Sequence, residues 1–270
     1  MPELPEVETT RRGISPWLTG RTITNVIVRR HALRWPLPDL ATQLPGQTVH
    51  HISRRGKYLL LTCDDAGTLL IHLGMSGSLR ILPIDTVPQP HDHLDIQFGT
   101  HCLRLRDPRR FGAVLWTEAP PNCHPLLRHL GPEPLSPEFN ADYLYTCTRQ
   151  RRTAIKTVLM NGRIVVGVGN IYATEALYAA GIHPNRAACR IAHGRLIQLV
   201  DAIRQILSAA IEQGGTTLRD FQQENGRPGY FRHQLQVYGR ANKPCHRCQT
   251  RLQMQRIGQR SSVYCPHCQH

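Results

Sequence analysis

The chain has 270 residues, of which 40% are hydrophobic, so it is long enough to fold as two modest domains and is not expected to be disordered. It carries 33 Lys and Arg against 19 Asp and Glu, a formal net charge of +14 that is typical of a protein that binds a polyanion. No run approaches the length of a membrane helix, and the acidic start is unlike a secretory leader, so we expect a cytoplasmic protein that does not enter a membrane.

The first half of the chain has the pattern of one helix followed by strands. Apolar residues at helical spacing predict a helix over residues 4–18, which Gly20 would end. Alternation on both sides of Gly99-Thr100 predicts a β-hairpin, and 83–90 is expected to be a proline-rich loop. The strand-like runs are 22–28, 57–62, 68–73, 79–82, 94–98, 102–105 and 113–116. This half is therefore predicted to be mainly β.

Helical spacing replaces alternation beyond the sequence Gly131-Pro-Glu-Pro134. A helix is predicted over 171–180, ending at Gly181, and a second is predicted before Gly214-Gly215. The second helix has one apolar stripe, formed by Leu196, Val200, Ile203, Leu207 and Ile211. A stripe of this kind is typical of core packing and not of a cofactor site.

Four cysteines near the end of the chain have the spacing of a zinc site. They follow the pattern C-x2-C-x16-C-x2-C and are Cys245, Cys248, Cys265 and Cys268. Disulfides are the alternative, but they are disfavoured in a chain without a secretory leader. Four thiolates complete a tetrahedral shell, so we expect one structural zinc ion with no open catalytic position.

The same tail is strongly basic. From Gly226 onward it has eight basic residues and no Asp or Glu, which indicates a surface that meets phosphate. Residues 251–260 between the cysteine pairs are predicted to form a β-hairpin with Ile257-Gly258-Gln259 near its tip. That hairpin would place Arg260 at the surface, where an arginine either keeps the protein soluble or binds a ligand.

The N-terminus suggests covalent chemistry. A methionine before Pro2 is commonly removed, and its removal would expose a secondary amine that is partly unprotonated at neutral pH. Many proteins begin Met-Pro without such chemistry, so the wider pattern decides. That pattern consists of the four-cysteine tail and seven motifs: Met1-Pro-Glu-Leu-Pro-Glu-Val-Glu8, Arg55-Gly-Lys-Tyr58, His72-Leu-Gly-Met-Ser-Gly77, Asp107-Pro-Arg-Arg-Phe-Gly112, Gly131-Pro-Glu-Pro134, Val166-Gly-Val-Gly-Asn-Ile-Tyr172 and Gly214-Gly-Thr-Thr217.

Over essentially its whole length the chain resembles the formamidopyrimidine-DNA glycosylase family. The resemblance implies an α+β multidomain fold: an N-terminal β-sandwich with an N-terminal helix, a helical helix-two-turn-helix domain and a C-terminal zinc-finger β-hairpin. We place the domains at 1–132, 133–234 and 235–270. The implied partner is double-stranded DNA containing oxidised bases, bound across the cleft by a protein that we expect to be a monomer.

The resemblance also implies the catalytic residues. Pro2 would attack the anomeric carbon of the damaged nucleotide, and Glu3 would be the acid/base beside it, although Glu3 could instead merely cap the first helix. Lys57 would face the DNA backbone near the lesion, and Arg260 would bind the phosphate next to it. Glu6 and Glu175 are expected to support the site.

Further residues match the family's DNA contacts. Three of them, Met75, Arg109 and Phe111, would fill the gap that the flipped nucleotide leaves. Asn170 would offer its amide to a phosphate at a helix start. The remaining contacts are His91 and Arg151, and Arg151 stands where lysine, which cannot bind phosphate bidentately, is also acceptable. We further expect 216–230 to be a flap over the flipped base.

Two other functions remain open. An endonuclease VIII-like enzyme would use the same scaffold for oxidised pyrimidines, but Leu4 stands where that group usually has glycine. A zinc-dependent protein that only binds damaged DNA would need neither Pro2 nor Glu3 nor Lys57, all of which are intact. The expected function is therefore excision of oxidised purines by a bifunctional glycosylase and lyase.

Overall fold

A computed structural model describes residues 2–64, 67–215 and 234–270. The chain divides into two compact units, the first containing residues up to 128 with 213–215, and the second containing 129–212 with 234–270. Met1 and the predicted flap at 216–230 lie outside the described residues. The predicted domain boundaries at 132/133 and 234/235 stay predictions. Among the described helices, none is long and apolar enough to cross a membrane.

The first unit begins with helix α1, Leu4–Leu18, at the predicted position. Pro5 lies in its first turn, where a missing N–H costs nothing, and Glu3 is the N-cap. Val7, Ile14 and Leu18 are buried in the core of the unit. The helix ends two residues before Gly20, whose φ of +76° suits a residue without a side chain.

Two antiparallel sheets follow α1 and form the predicted β-sandwich. The first has five strands in the order β1-β3-β4-β5-β9. Its strands are β1 (Arg21–Thr22), β3 (Thr48–Arg55), β4 (Tyr58–Cys63), β5 (Gly67–His72) and β9 (Ala113–Thr117). The second has four strands in the order β2-β7-β8-β6. Its strands are β2 (Asn25–Val28), β6 (Ser78–Pro83), β7 (Asp92–Phe98) and β8 (His101–Arg106).

The core of this unit lies between the two sheets. Leu59, Leu61 and Ile71 of the first sheet are buried with Leu94 and Leu103 of the second. The β7–β8 hairpin turns at Gly99, as the alternation predicts, and Gly99 has a φ of +57°. Leu94 and Ile96 pair with Leu105 and Leu103 across it. Alternating apolar residues therefore fix which face of the second sheet is buried.

Strand β3 and the short helix α2 (Leu40–Gln43) were not predicted. In β3 only Val49 and Ile52 are buried, and the pairing with β4 shifts register between Val49 and His51. The bulge places the two buried side chains three residues apart, which breaks the period of two by which a strand is recognised.

The second unit contains the two predicted helices, two shorter helices that precede them and were not predicted, and the cysteine hairpin. Helix α5 begins at Asn170, and the residue after its C-cap, Gly181, has a φ of +67°. The turns of 160–169 join α4 to α5, which gives the helix-two-turn-helix arrangement. The helices are α3 (Ala141–Thr148), α4 (Ile155–Leu159), α5 (Asn170–Ala179) and α6 (His193–Glu212), and the hairpin strands are β10 (Gln253–Ile257) and β11 (Arg260–Tyr264). Short 3-10 turns occur at Pro121–Cys123 of the first unit and Ala188–Arg190 of the second.

Candidate active site and zinc centre

Pro2 and Glu3 are held at the start of α1. Both are buried, Glu3 being 2% exposed. Glu6, which is fully buried, accepts a hydrogen bond from the Glu3 backbone N–H at 2.8 Å, and the two residues form a capping box. Glu3 is thus the N-cap, and this position does not prevent acid/base chemistry by its carboxyl group. The capping box fixes the backbone directly after the amine of Pro2.

Gly215 lies against Glu6. A Cβ at residue 215 would lie 2.9 Å from Glu6 Oε1, and the residue has a φ of +79°. Only glycine can adopt this positive φ without strain and leave the space beside the Glu6 carboxylate free. This contact gives a physical reason for the second glycine of the Gly214-Gly-Thr-Thr217 motif.

Lys57 lies in the tight turn between β3 and β4, next to a histidine that sequence analysis noted only as part of a motif. Lys57 follows Gly56, whose φ is +57°. His72 ends β5, packs its ring 4.8 Å from that of Tyr58, and accepts a hydrogen bond at Nδ1 from the Gly74 N–H at 3.0 Å. Burial, and then the positive charges of Lys57 and Arg34, lower the pKa of His72 to about 4. His72 is therefore neutral at physiological pH.

This neutral histidine makes stability depend on pH. The unfolded His72 takes up a proton below its ordinary pKa of 6.5, whereas the folded residue does so only near a pKa of about 4, so the unfolded state is favoured as pH falls through that window. We expect the free energy of unfolding to fall by about 2 kcal/mol as the pH is lowered from 6.5 to about 4, after allowance for the partial exposure of the ring. His72→Gln, which keeps an acceptor for Gly74, should remove that loss in urea unfolding at stepped pH. Equal pH dependence in both proteins would contradict the assignment.

The residues predicted to fill the DNA gap lie on two adjoining turns of the first unit. Met75 is half-buried in the turn 74–77, while Arg109 and Phe111 are exposed in the turn 107–112. The Arg109 guanidinium lies 5.2 Å from the centroid of the Phe111 ring. A Cβ on Gly74 would lie 2.4 Å from the Gly112 nitrogen, so the two turns touch backbone to backbone. The structure thus brings these three residues onto one edge of the unit.

His91 precedes β7 on the same unit. It is exposed and has a φ of +76°, which is uncommon for a residue with a side chain. Its backbone oxygen accepts a hydrogen bond from the Asp107 N–H at 3.1 Å. His91 is therefore tied to the turn that holds Arg109 and Phe111.

In the second unit, Asn170 is the first residue of α5, as predicted. Its Oδ1 is buried and, within the part of the chain that the structure describes, has no hydrogen-bond partner. Arg151 is exposed just beyond α3, and its Nε donates to the Cys147 carbonyl at 2.9 Å. The N–H groups at the start of α5 and the Arg151 fork are both suited to bind phosphate.

Glu175 on α5 fastens the chain that leads into the cysteine hairpin. Its carboxylate accepts three backbone N–H groups, from Gln236 at 2.8 Å, Val237 at 3.0 Å and Tyr238 at 2.7 Å. Burial raises the pKa of Glu175 by more than these three hydrogen bonds lower it. Glu175 therefore fixes the backbone of 236–238, and its predicted support of the catalytic site stays a prediction.

The four cysteines of the tail converge on one point. Their sulfur atoms lie within 4.8 Å of one another, with Cys248 Sγ 3.4 Å from the sulfurs of both Cys265 and Cys268. Zn–S bonds of about 2.3 Å in a tetrahedron place sulfurs roughly 3.8 Å apart, so these residues fit one zinc ion. A zinc ion held by them would be structural, since four thiolates leave no position for substrate.

Helix α5 contacts this centre through Tyr178, a residue that sequence analysis missed. The Tyr178 hydroxyl lies 3.1 Å from Cys245 Sγ, and the Arg247 guanidinium lies 4.4 Å from the Tyr178 ring centroid. Burial alone would raise the pKa of Cys245, but hydrogen bonds from Tyr178 and the nearby backbone lower it to about 6. At Cys245 the surroundings thus favour the thiolate, which is the form that binds zinc.

Arg260 is exposed at the start of β11, directly after the tip of the hairpin. Gly258 and Gln259 have φ values of +52° and +61°, as a two-residue hairpin turn requires. Lys156 of α4, missed as a site residue, is 1% exposed and donates to the Ser261 carbonyl at 3.1 Å and to Ser262 Oγ at 2.6 Å. A cleft of about 350 Å³ is lined by both Lys156 and Arg260. Lys156 therefore fixes the strand that carries Arg260.

A β-sandwich that presents Pro2 and Glu3, together with a helix-two-turn-helix unit and a zinc-finger hairpin, defines a zinc-containing DNA-repair glycosylase. Family models agree with this class. The model described as "Formamidopyrimidine-DNA glycosylase N-terminal domain" matches residues 1–114, "Formamidopyrimidine-DNA glycosylase H2TH domain" matches 130–222, and "Zinc finger found in FPG and IleRS" matches 242–270.

Relatives cover the whole chain. It is 58% identical to the formamidopyrimidine-DNA glycosylase of Syntrophotalea carbinolica and 57% identical to that of Thioalkalivibrio sulfidiphilus, covering 100% of both chains in each case. The structure resembles the Fpg protein of Thermus thermophilus with a TM-score of 0.90 at 36% identity, covering 99% of this chain and 98% of that one. It resembles Lactococcus lactis Fpg in complex with abasic-site DNA with a TM-score of 0.92 at 33% identity, covering 99% of each. The chain belongs to the formamidopyrimidine-DNA glycosylase family, which confirms the predicted fold and the structural zinc.

Proposed function

We propose that this protein removes oxidised purines, namely 8-oxoguanine and formamidopyrimidines, from duplex DNA and then cleaves the strand. The observation that carries the proposal is the buried Pro2-Glu3 pair, fixed by Glu6 at the start of α1, in a chain that matches the family from end to end. We further propose that the protein acts as a monomer in the bacterial cytoplasm, without a membrane partner.

The reaction follows from the secondary amine of Pro2. After Met1 is removed, the nitrogen lone pair forms a bond to C1′ of the damaged nucleotide, and the glycosidic bond breaks with its electrons leaving on the base. Opening of the sugar gives an iminium, in which the positive nitrogen acidifies C2′. Loss of a C2′ proton expels the 3′ phosphate, and a second elimination expels the 5′ phosphate. Water then releases the sugar fragment and restores the amine.

Other residues would assist at defined points. Glu3 would exchange protons with the sugar as it opens, because Glu3 directly follows Pro2, the residue that would carry the cationic intermediate. Lys57 would donate a proton or bind phosphate near the lesion, and Arg260 would bind the phosphate next to it. The phosphates farther along would be bound by His91, Arg151 and Asn170. Met75, Arg109 and Phe111 would fill the space left by the flipped nucleotide.

Oxidised pyrimidines are the second candidate substrate, because a structure of the Lactococcus lactis Fpg with DNA containing an oxidised pyrimidine also matches this chain, with a TM-score of 0.92 at 33% identity. The test offers the protein matched duplexes that carry 8-oxoguanine, a formamidopyrimidine or thymine glycol, and identifies released bases and strand ends by mass spectrometry. We expect faster release of both purines and ends that carry phosphate on both sides of the gap. Preferential release of thymine glycol would favour the endonuclease VIII-like function, and binding without release would indicate a damage-binding protein.

A further inference from the structure

Asp107 is a buried carboxylate that the proposed reaction does not use. It follows β8 and is 0% exposed. Its Oδ1 accepts a hydrogen bond from the Ser76 hydroxyl at 2.7 Å, and its Oδ2 accepts one from the Gly112 N–H at 2.7 Å. Both hydrogen bonds lie within the usual range of distances. Each oxygen of one carboxylate therefore holds a different segment.

Those two segments carry the residues proposed to enter the DNA. Ser76 lies in the turn of Met75, and its Oγ also accepts a hydrogen bond from the Arg109 N–H at 3.1 Å. Gly112 closes the turn of Arg109 and Phe111. The path from Asp107 through Ser76 to Arg109 thus links the turn 74–77 to the turn 107–112 by side-chain hydrogen bonds.

The Asp107 backbone extends the same connection to a third segment. Its N–H donates to the His91 carbonyl at 3.1 Å, and its carbonyl accepts from His93 Nε2 at 2.9 Å. The packing around Asp107 is tight, because a Cβ on Gly112 would lie 2.9 Å from Asp107 Oδ2 and 3.0 Å from the His72 carbonyl oxygen. Asp107 is therefore connected to all three segments that carry these proposed DNA contacts. They are the segment of His91, the turn of Met75, and the turn of Arg109 and Phe111.

We propose that Asp107 is a positioning residue that fastens these turns before DNA is bound, so that Met75, Arg109 and Phe111 enter the duplex as one rigid wedge. The inference rests on the proposed function, because it presumes that these three side chains fill the gap. A wedge that is already ordered avoids the entropy cost of ordering three side chains on two turns during binding. Asp107 touches neither the base nor the sugar in this role.

The experiment compares Asp107→Asn with wild type and with Asp85→Asn, which changes an exposed aspartate of the same unit. An asparagine can accept from only one of the two donors and turns its NH₂ group toward the other, so the two turns should separate. Single-turnover excision of 8-oxoguanine from duplex DNA should fall about 10- to 100-fold. Cleavage at an abasic site in single-stranded DNA, where no gap opposite a base must be filled, should stay at the wild-type rate.

A second readout reports the wedge directly. The fluorescence of 2-aminopurine opposite the lesion should rise when wild type binds and should not rise with Asp107→Asn. Ser76→Ala is a smaller change that breaks both the Asp107 and the Arg109 contacts. It should likewise slow excision from duplex DNA and leave single-stranded cleavage unchanged, and it replaces Asp107→Asn as the test if that variant does not fold. Equal loss of both reactions in the folded variants would overturn the inference, as would excision at the wild-type rate. If wild type itself releases no 8-oxoguanine but does cleave the abasic strand, the proposed substrate is wrong, and this inference is overturned with it.

Discussion

Glu3→Gln is expected to lower single-turnover excision of 8-oxoguanine by about 10²- to 10⁴-fold, the usual contribution of a positioned acid or base. Glutamine has the same size and keeps an oxygen acceptor, so the N-cap of α1 should survive while the proton-transferring group is lost. The thermal midpoint and the affinity for lesion DNA should stay close to wild type.

This result would separate the two roles of Glu3. Glu118→Gln, which changes an exposed glutamate of the same unit, is the matched control and should retain full activity. A Glu3 variant with normal excision but a lower thermal midpoint would show that Glu3 only caps the helix. Because the structure places Glu3 at the N-cap, the measurement must include stability as well as rate.

Loss of the zinc site is expected to unfold the hairpin β10–β11 without unfolding the sandwich. Structural zinc contributes on the order of 10 kcal/mol to the folding of small zinc modules. Cys265→Ala should therefore bind less than one zinc per chain, and amides of both strands should exchange rapidly with solvent. DNA affinity should fall about 10- to 100-fold, because Arg260 and its basic neighbours are no longer held in place.

The control for this variant is Cys123→Ala, which changes an exposed cysteine of the first unit that is not part of the zinc cluster. It should retain one zinc per chain, a protected hairpin and full DNA affinity. A Cys265 variant with slow amide exchange in β10 and β11 would contradict the structural role of the metal.

Local patterns were enough to predict much of the fold. The alternation of Leu94, Ile96 and Phe98 identified β7, and the Gly99 turn fixed its register against β8. Helix α1 was predicted to the residue, because a proline near its start and a glycine beyond its end mark both boundaries. Strand β3 was missed because its bulge removes the periodic signal.

The parts of the site that sequence reasoning missed depend on contacts distant in the chain. Lys156 bonds to residues 261 and 262, more than a hundred positions away. His72 owes its low pKa first to burial and then to the charges of Lys57 and Arg34, which only the fold brings near. Asp107 binds Ser76 across 31 positions. No spacing rule within one segment can reveal such partners, whereas the four zinc ligands lie in two short turns that a spacing rule describes.

We expect the amine of Pro2 to form the covalent intermediate. Sodium borohydride trapping with a duplex carrying 8-oxoguanine opposite cytosine, followed by mass mapping of the adduct, tests it most directly. The preparation is first checked by mass for removal of Met1. We predict an adduct on Pro2 in wild type and in Arg151→Ala, and none in Pro2→Gly. An adduct on Lys57, or trapping of Pro2→Gly at the wild-type rate, would show that Pro2 is not the nucleophile.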